Sequence, residues 1–224
     1  MNTFADSLMH YYSDLKPPKG LPKEVEVMNP YQNEKTFEIA STFYRKYYGD
    51  NHERIICFGI NPGRFGAGIT GVPFTDPIKL EEACGIKNSF DKKAELSTRF
   101  IYEMIDAYGG PKRFYSKFYI SAVSPLGYLK DGINLNYYDI KGHKELFEKY
   151  ALNEIKKQFP LGISRKVAFS IGKGQNIKFL NWLNEKYDLF DSIIPLSHPR
   201  WVMQYRLKRK EEFIQEYIDA FSKV

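Results

Sequence analysis

The chain has 224 residues, of which 43% are hydrophobic and 27% charged, and this balance predicts a single ordinary domain with a sizeable core. Lysine and arginine number 33 against 27 aspartates and glutamates, and the net charge of +6 fits a polyanionic partner without requiring one. Two cysteines, Cys57 and Cys84, are too few for a four-thiolate zinc or iron–sulfur site. The sequence offers no stretch of about 20 apolar residues and no signal-peptide pattern. We therefore expect a cytoplasmic protein with reduced cysteines, no metal, no cofactor and no membrane contact.

The predicted elements alternate between strands and helices along the chain. Residues 1–30 are expected to form an N-terminal helix and a connector that includes the proline-rich segment LKPPKGLP. Apolar, β-rich runs predict strands at 54–59, 118–123, 166–171 and 192–196. Apolar residues three and four positions apart predict helices at 36–47, 94–107, 141–159, 175–185 and 208–221. This order predicts one domain over 1–224, a three-layer α/β/α sandwich around a mostly parallel four-stranded sheet.

Ligands of such a sheet bind outside the carboxyl ends of its strands, so the segments that follow the strands are the candidates for a site. They are 61–74, 124–138, 172–176 and 197–206, all of which we expect to be loops. The first belongs to GINPGRFGAGITGVPF, which places Asn61 in a turn directly after a buried strand and ends on Phe74. Of the four histidines, His198 alone follows a β-rich run directly and precedes a proline.

Two motifs carry a family resemblance. The first is Gly59-x-Asn61-Pro62-Gly63-x-Phe65-Gly66 with Thr-Gly-Val-Pro-Phe at 70–74, and the second is His198-Pro199. Together they resemble the uracil-DNA glycosylase superfamily, nearest to a bacterial variant of its single-strand-selective monofunctional branch. The first motif aligns without a gap over sixteen positions, from 59 to 74. The resemblance implies hydrolysis of the N-glycosidic bond of uracil or a related damaged base flipped out of DNA, leaving an abasic site without a cofactor.

The resemblance also implies residue roles. Asn61 would position the attacking water, and His198 would donate a hydrogen bond to the negative charge that develops on the base. Phe74 would stack on the base, while the backbone of Ile60 and Phe74 would lie against its edges. Gly63 would leave room beside C5 of a pyrimidine for a bulky substituent. From the residues alone, each position also has a structural interpretation. Asn61 could simply close a turn, His198 could be a hydrogen-bonded structural residue, and Phe74 could belong to the core.

The chain departs from the family pattern on its second strand. Ala122 stands where the animal members carry an asparagine that reads the pyrimidine edge, and a methyl group cannot supply a donor and an acceptor. Ser124, Asn134 or Asn136 could supply that contact from the adjacent loop. Alternatively, the substrate could be hypoxanthine, xanthine or an oxidised pyrimidine.

DNA is the implied partner, bound by a monomer in single- or double-stranded form. Four residues after His198 are together expected to include the wedge that fills the emptied base stack: Arg200, Trp201, Val202 and Met203. Basic side chains are expected at phosphates, namely Arg64, Lys173 and Arg206. Two other functions stay open at this point, a catalytically weak module that binds damaged DNA and a hydrolase of free nucleosides or nucleotides.

Overall fold

The computed structural model describes residues 2–224, and within them the chain forms seven strands and ten α-helices. In chain order they are α1 (Phe4–Ser13), β1 (Glu26–Met28), α2 (Glu34–Tyr47), β2 (Arg54–Gly59), α3 (Ala67–Thr70), α4 (Pro77–Glu82), α5 (Leu96–Tyr108), α6 (Pro111–Lys117), β3 (Phe118–Ala122), β4 (Gly127–Lys130), β5 (Ile133–Leu135), α7 (His143–Gln158), β6 (Ile163–Ile171), α8 (Gln175–Tyr187), β7 (Ser192–Leu196), α9 (Pro199–Tyr205) and α10 (Lys210–Ser222). Each of the five predicted main helices is present, with ends shifted by up to two residues.

The central sheet has the strand order β3-β2-β6-β7, and all neighbours run parallel. Every residue of β3 is buried, as is usual for a parallel strand that is covered by helices on both faces. Gly59 pairs with Ala122, and Ile171 pairs with Leu196, so the carboxyl ends of the four strands meet at one edge. The predicted α/β sandwich with its parallel four-stranded sheet is confirmed.

A second, smaller sheet was not predicted. It is antiparallel, with the order β1-β4-β5, and it occupies part of the segment 124–138 that we expected to be a loop. The β4–β5 hairpin turns at Asp131 and Gly132, both with positive φ angles, 51° and 70°. Asp-Gly between short strands is a strong signal for this type of turn and marks the hairpin in the sequence. The hairpin brings residues 134–137 over the end of β2.

The segment 197–206 is also more ordered than predicted, because residues Pro199–Tyr205 form α9. A proline at the first position favours the start of a helix, and the His198 side chain caps it. Helix formation decides which side chains of this segment face the core and which face the solvent. None of the helices in residues 2–224 is long and apolar enough to cross a membrane.

Candidate active site

A cavity of about 690 Å³ opens at the carboxyl ends of the parallel strands, at the place that the sheet topology predicts. The loops after β2, β6 and β7 and the β4–β5 hairpin all contribute to its lining. Ten of the predicted site residues line it: Ile60, Asn61, Gly63, Phe74, Asn134, Asn136, Lys173, His198, Arg200 and Trp201. Ala122 borders a smaller adjoining cavity of about 60 Å³.

The Asn61 amide is fixed in one orientation by the chain that follows β5. Its Oδ1 accepts a hydrogen bond from the backbone N–H of Tyr137 at 2.9 Å, and its Nδ2 donates to the carbonyl of Leu135 at 3.1 Å. Because one partner only donates and the other only accepts, the amide cannot be flipped without losing both bonds. One lone pair on Oδ1 is left for a further donor, such as a water molecule.

Tyr137 and Asn176 connect the hydrogen bonds of the Asn61 amide to the central sheet. The Tyr137 hydroxyl donates to Oδ1 of Asn176 at 3.1 Å, and Nδ2 of Asn176 lies 3.3 Å from the carbonyl oxygens of Phe58 and Gly59 at the end of β2. Both side chains are buried. Sequence analysis missed these two residues, although Asn176 follows the strand β6 in one of the predicted site segments.

His198 stands at the amino end of α9, and its Nδ1 accepts a hydrogen bond from the backbone N–H of Arg200 at 3.2 Å. A neutral ring that accepts at Nδ1 carries its proton on Nε2, so the ring can donate through Nε2. Burial, together with the positive charge of Arg200, lowers the pKa of His198 to about 4. The imidazole is therefore neutral at neutral pH and can still donate through Nε2.

The loop that carries His198 is held by α10. Glu216 accepts hydrogen bonds from the backbone N–H and the hydroxyl of Ser197, each at 3.0 Å, and the Tyr217 hydroxyl donates to the Ser197 carbonyl at 2.7 Å. Glu216 also pairs with Lys173 at 3.0 Å, which joins the β6 and β7 loops. Neither Glu216 nor Tyr217 was predicted, because a polar residue on an amphipathic helix gives no sign of its partner.

Phe74 has a positive φ angle of 50°, which is rare for an aromatic residue and costs conformational energy. Its ring lies against Gly59, where a Cβ would come within 3.1 Å of the Cε2 atom. The ring is also edge-on to His198, with 6.4 Å between the ring centroids. A backbone under strain that holds an aromatic ring at the cavity wall is typical of a ligand site.

The three residues expected to replace the missing asparagine occupy different places. Ser124 is fully buried, and its hydroxyl is bonded to the Leu126 carbonyl at 3.1 Å and the Tyr128 hydroxyl at 2.7 Å, so the expectation that it contacts the base is wrong. Asn134 accepts from the Arg64 backbone N–H at 3.2 Å, which leaves its Nδ2 beside the cavity.

Asn136 also lines the cavity, but its amide is partly engaged. Its Nδ2 donates to the carboxylate of Asp139 at 2.7 Å. The carbonyl of Ile60, expected to lie against the base, accepts a hydrogen bond from the Ser124 backbone N–H at 3.1 Å.

Glu95, at the start of α5, is a cavity residue that the sequence analysis missed. It borders both the large and the small cavity. A Cβ on Gly63 would lie 3.4 Å from its Oε1 and 3.7 Å from Nδ2 of Asn134, so the free space expected beside Gly63 is partly filled. Glu95 lies 34 positions after Asn61 in a lysine-rich segment, and its placement at the cavity depends on tertiary structure alone.

Helix α9 buries some of the residues expected to include the wedge and exposes others. Val202 and Met203 are 0% and 6% exposed and pack in the core, so of the four residues expected to include the wedge only Arg200 and Trp201 are exposed. Trp201 is 40% exposed at the cavity rim, with the Arg206 guanidinium 4.9 Å from its ring centroid. The rim also exposes two apolar residues that were not predicted, Tyr205 at 66% and Leu207 at 53%.

Arg64 follows the cavity-lining Gly63 and packs on the β4–β5 hairpin. The Arg64 guanidinium contacts the Gly132 carbonyl and lies 4.5 Å from the ring centroid of Phe65. Phe65 and Ile133 are 38% and 67% exposed. Arginine and exposed apolar side chains therefore occur together both in the α9 segment and beside the hairpin, and this pattern suits a nucleic acid strand.

A parallel α/β sheet that holds an oriented amide and a neutral histidine around one cavity with basic rims defines an enzyme that acts on a base of a nucleic acid. The family model for the uracil DNA glycosylase superfamily matches residues 46–222. The chain belongs to the uracil DNA glycosylase superfamily and is a DNA N-glycosylase, a hydrolase of base excision repair.

The chain is also similar to a solved structure, wild-type SMUG2 of Pedobacter heparinus. The two share 43% sequence identity with a TM-score of 0.96, over 100% of this chain and 98% of the other. The resemblance to the single-strand-selective monofunctional branch, inferred from the motifs at 59–74 and 198–199, is confirmed. No curated protein matches the chain.

Proposed function

We propose that the protein hydrolyses the N-glycosidic bond of uracil or a related damaged base that has been flipped out of DNA, and leaves an abasic site without cutting the strand. The observation that carries this proposal is the placement of Asn61 and His198. They lie on loops after different strands, line the same cavity, and each is fixed by a hydrogen bond from a backbone N–H.

The reaction requires stabilisation of the leaving base and activation of one water. As the bond between C1′ of the sugar and the base nitrogen breaks, its electron pair stays on the base, and the sugar becomes oxocarbenium-like. The Nε2–H of His198 donates to the base oxygen on which negative charge accumulates. The free lone pair of Asn61 Oδ1 accepts from a water whose oxygen forms the new bond to C1′. The proton that this oxygen then loses passes to solvent, and the departed base anion takes up a proton from solvent. Phe74 stacks on the base and keeps it oriented.

The cavity rims favour DNA over a free nucleoside as substrate. Arg200 and Lys173 line the cavity, Arg206 packs on Trp201 at its edge, and Arg64 follows Gly63. These four side chains provide positive charge that would attract the phosphates of a bound strand. Trp201, Tyr205 and Leu207 expose apolar surface next to the cavity, and a side chain of this kind can fill the gap left by a flipped base. A hydrolase of small nucleosides would have no use for either feature.

We also propose that the protein acts as a monomer inside the cell, where it has access to the chromosome. The loops of one chain enclose the whole cavity, so catalysis requires no residue from a second copy. Both cysteines, Cys57 and Cys84, are free and buried, as expected for a reducing compartment.

The test is alkali-revealed strand cleavage of labelled single-stranded and duplex oligonucleotides that carry uracil, 5-hydroxymethyluracil, hypoxanthine or xanthine. We expect abasic sites from the wild type at one or more of these bases and a loss of about 100-fold or more in the His198→Ala variant. Retained DNA binding without cleavage of any substrate would instead support the non-catalytic module. Cleavage of free deoxyuridine at a rate equal to that of the oligonucleotide would support the nucleoside hydrolase.

A further inference from the structure

The small cavity beside Ala122 has no hydrogen-bonding side chain on β3 to read a base. Ala122 presents a methyl group, and the preceding Ser121 hydroxyl donates to Gln158 at 2.7 Å. The carboxyl of Glu95 lies on the wall of this same cavity, together with Asn61 and Phe74. A carboxyl group in a cavity that receives a base is costly to bury unless it is paired when the ligand is bound.

The two glycines of the first motif provide the space for this carboxyl. A Cβ on Gly66 would collide with Oε2 of Glu95, and a Cβ on Gly63 would lie 3.4 Å from Oε1. The backbone N–H of Glu95 donates to the buried Asp76 carboxylate at 2.9 Å, while Oδ1 of Asp76 caps α4. Glu95 is therefore anchored at its backbone and confined at its side chain.

One oxygen of the carboxyl is already occupied and the other is free. Oε2 accepts from the Thr98 hydroxyl at 3.2 Å, whereas Oε1 accepts no hydrogen bond from any residue between 2 and 224. Burial raises the pKa of Glu95, the nearby Asp76 carboxylate raises it further, and the Thr98 hydroxyl and the Arg200 charge oppose the rise. His198 also lines the large cavity and contributes no charge, because it is neutral.

We propose that Glu95 is the base-recognition residue of this enzyme. Its carboxyl pairs with the ring N–H and the adjacent carbonyl of the flipped base, and so replaces the asparagine amide that the animal members carry at the position of Ala122. The inference rests on the proposed glycosylase function. A protonated carboxyl offers one acceptor and one donor side by side, the same pair that a primary amide offers. Uracil and other deaminated bases present the complementary N–H and C=O. A neutral carboxyl also avoids repulsion of the anionic leaving base.

The test compares excision of uracil with that of 3-methyluracil, which lacks the ring N–H, in single-stranded oligonucleotides under single-turnover conditions. We expect the wild type to prefer uracil strongly. Glu95→Gln keeps an acceptor and a donor and should retain this preference. Glu95→Ala should lower the uracil rate by about 10- to 100-fold and bring the ratio of the two rates close to one. A purely structural role would lower both rates together and leave the ratio unchanged.

Two further variants keep the result interpretable. Gly66→Ala should displace the carboxyl without removing it and should shift the ratio in the same direction as Glu95→Ala. Glu82→Ala, in the neighbouring helix α4 and paired with Lys79 on the surface, is the matched control and should change neither rate. If Glu95→Ala kept the wild-type ratio, the recognition role would be wrong. If the wild type excised no base from any oligonucleotide, the proposed function itself would fail, a different outcome.

Discussion

The side-chain oxygen of Asn61 accepts a hydrogen bond from the backbone N–H of Tyr137, 76 residues further along the chain. The β4–β5 hairpin thus sets the direction of the amide at the end of β2. The position of the water that Asn61 would hold depends on this small antiparallel sheet as well as on the first motif.

Replacement of Asn61 by alanine should reduce the single-turnover rate of base excision by about 100- to 1,000-fold, because the water loses its acceptor. Affinity for the damaged oligonucleotide should change little, since the amide contributes to the chemical step. Tyr137→Phe is the matched variant: it keeps the backbone N–H that holds Asn61 and removes only the hydroxyl bond to Asn176. We expect a loss of less than about 10-fold for this variant. Equal losses in both would mean that folding of the hairpin, and not the amide, limits the rate.

The neutral state of His198 predicts a particular pH dependence. The folded-state pKa of about 4 lies below the ordinary value of 6.5, so the unfolded chain binds more protons than the folded one between these values. The free energy of unfolding should therefore fall as the pH drops from 6.5 towards about 4, and His198→Gln should remove this part of the decrease. Urea unfolding of both proteins at pH 7.5 and pH 5 measures it.

The pH profile of the excision rate should likewise show no ionisation of His198 near pH 6.5. The single-turnover rate is best followed in the Glu95→Gln background, because this substitution removes the cavity carboxyl whose pKa is raised. An imidazole signal in the NMR spectrum that disappears in His198→Gln and titrates at its ordinary pH would contradict the tautomer and charge assigned here.

The central sheet could be predicted from the sequence because its four strands are continuous apolar runs. A run of this kind is typical of a strand that is buried on both faces. The same reasoning failed for β1, which has three residues and pairs with β4, about 100 positions away. Nothing local to residues 26–28 signals that pairing. The dipeptide Asp131-Gly132 is a local signal for a hairpin turn, although a loop was predicted for this segment.

The site was predictable to the extent that its residues follow strands. Asn61 and His198 come directly after β2 and β7, so their convergence follows from a parallel sheet. Glu95 and Glu216 reach the site from helices, where a carboxylate usually faces solvent, and only packing shows otherwise. Val202 was misassigned because a loop was expected, whereas a helix places residues three and four positions apart on the same face, so Val202 and Met203 follow Pro199 into the core.

Glu216 should act as a positioning residue for the His198 loop. Glu216→Ala removes both bonds to Ser197 and the ion pair with Lys173, and we expect the excision rate to fall by about 10-fold, since displacement of a catalytic group by a fraction of an ångström is costly. Glu216→Gln can keep one or both bonds to Ser197 and should restore part of the rate. Asp219→Asn, on the exposed face of the same helix, is the control and should behave as wild type. Weaker DNA binding by Glu216→Ala at an unchanged maximal rate would contradict this role. Glu216 would then act by holding Lys173, a predicted phosphate contact, and not by positioning His198.

The exposed end of α9 and the turn that follows it should provide the side chain that fills the emptied base stack. Tyr205→Ala and Leu207→Ala remove exposed apolar surface at the rim, so each should leave the folded protein stable and slow excision from duplex DNA more than from a single strand, where no stack has to be opened.

Val202→Ala is the contrasting variant for the same helix, because its side chain is fully buried. We expect it to lower the free energy of unfolding by about 1–3 kcal/mol through a cavity in the core, with an excision rate near wild type at a temperature where it is folded. Chemical denaturation together with single-turnover excision on matched single-stranded and duplex substrates separates the two effects. A duplex-specific defect in Val202→Ala, with none in the Tyr205 and Leu207 variants, would show that α9 rearranges on DNA and that the core residue is the wedge.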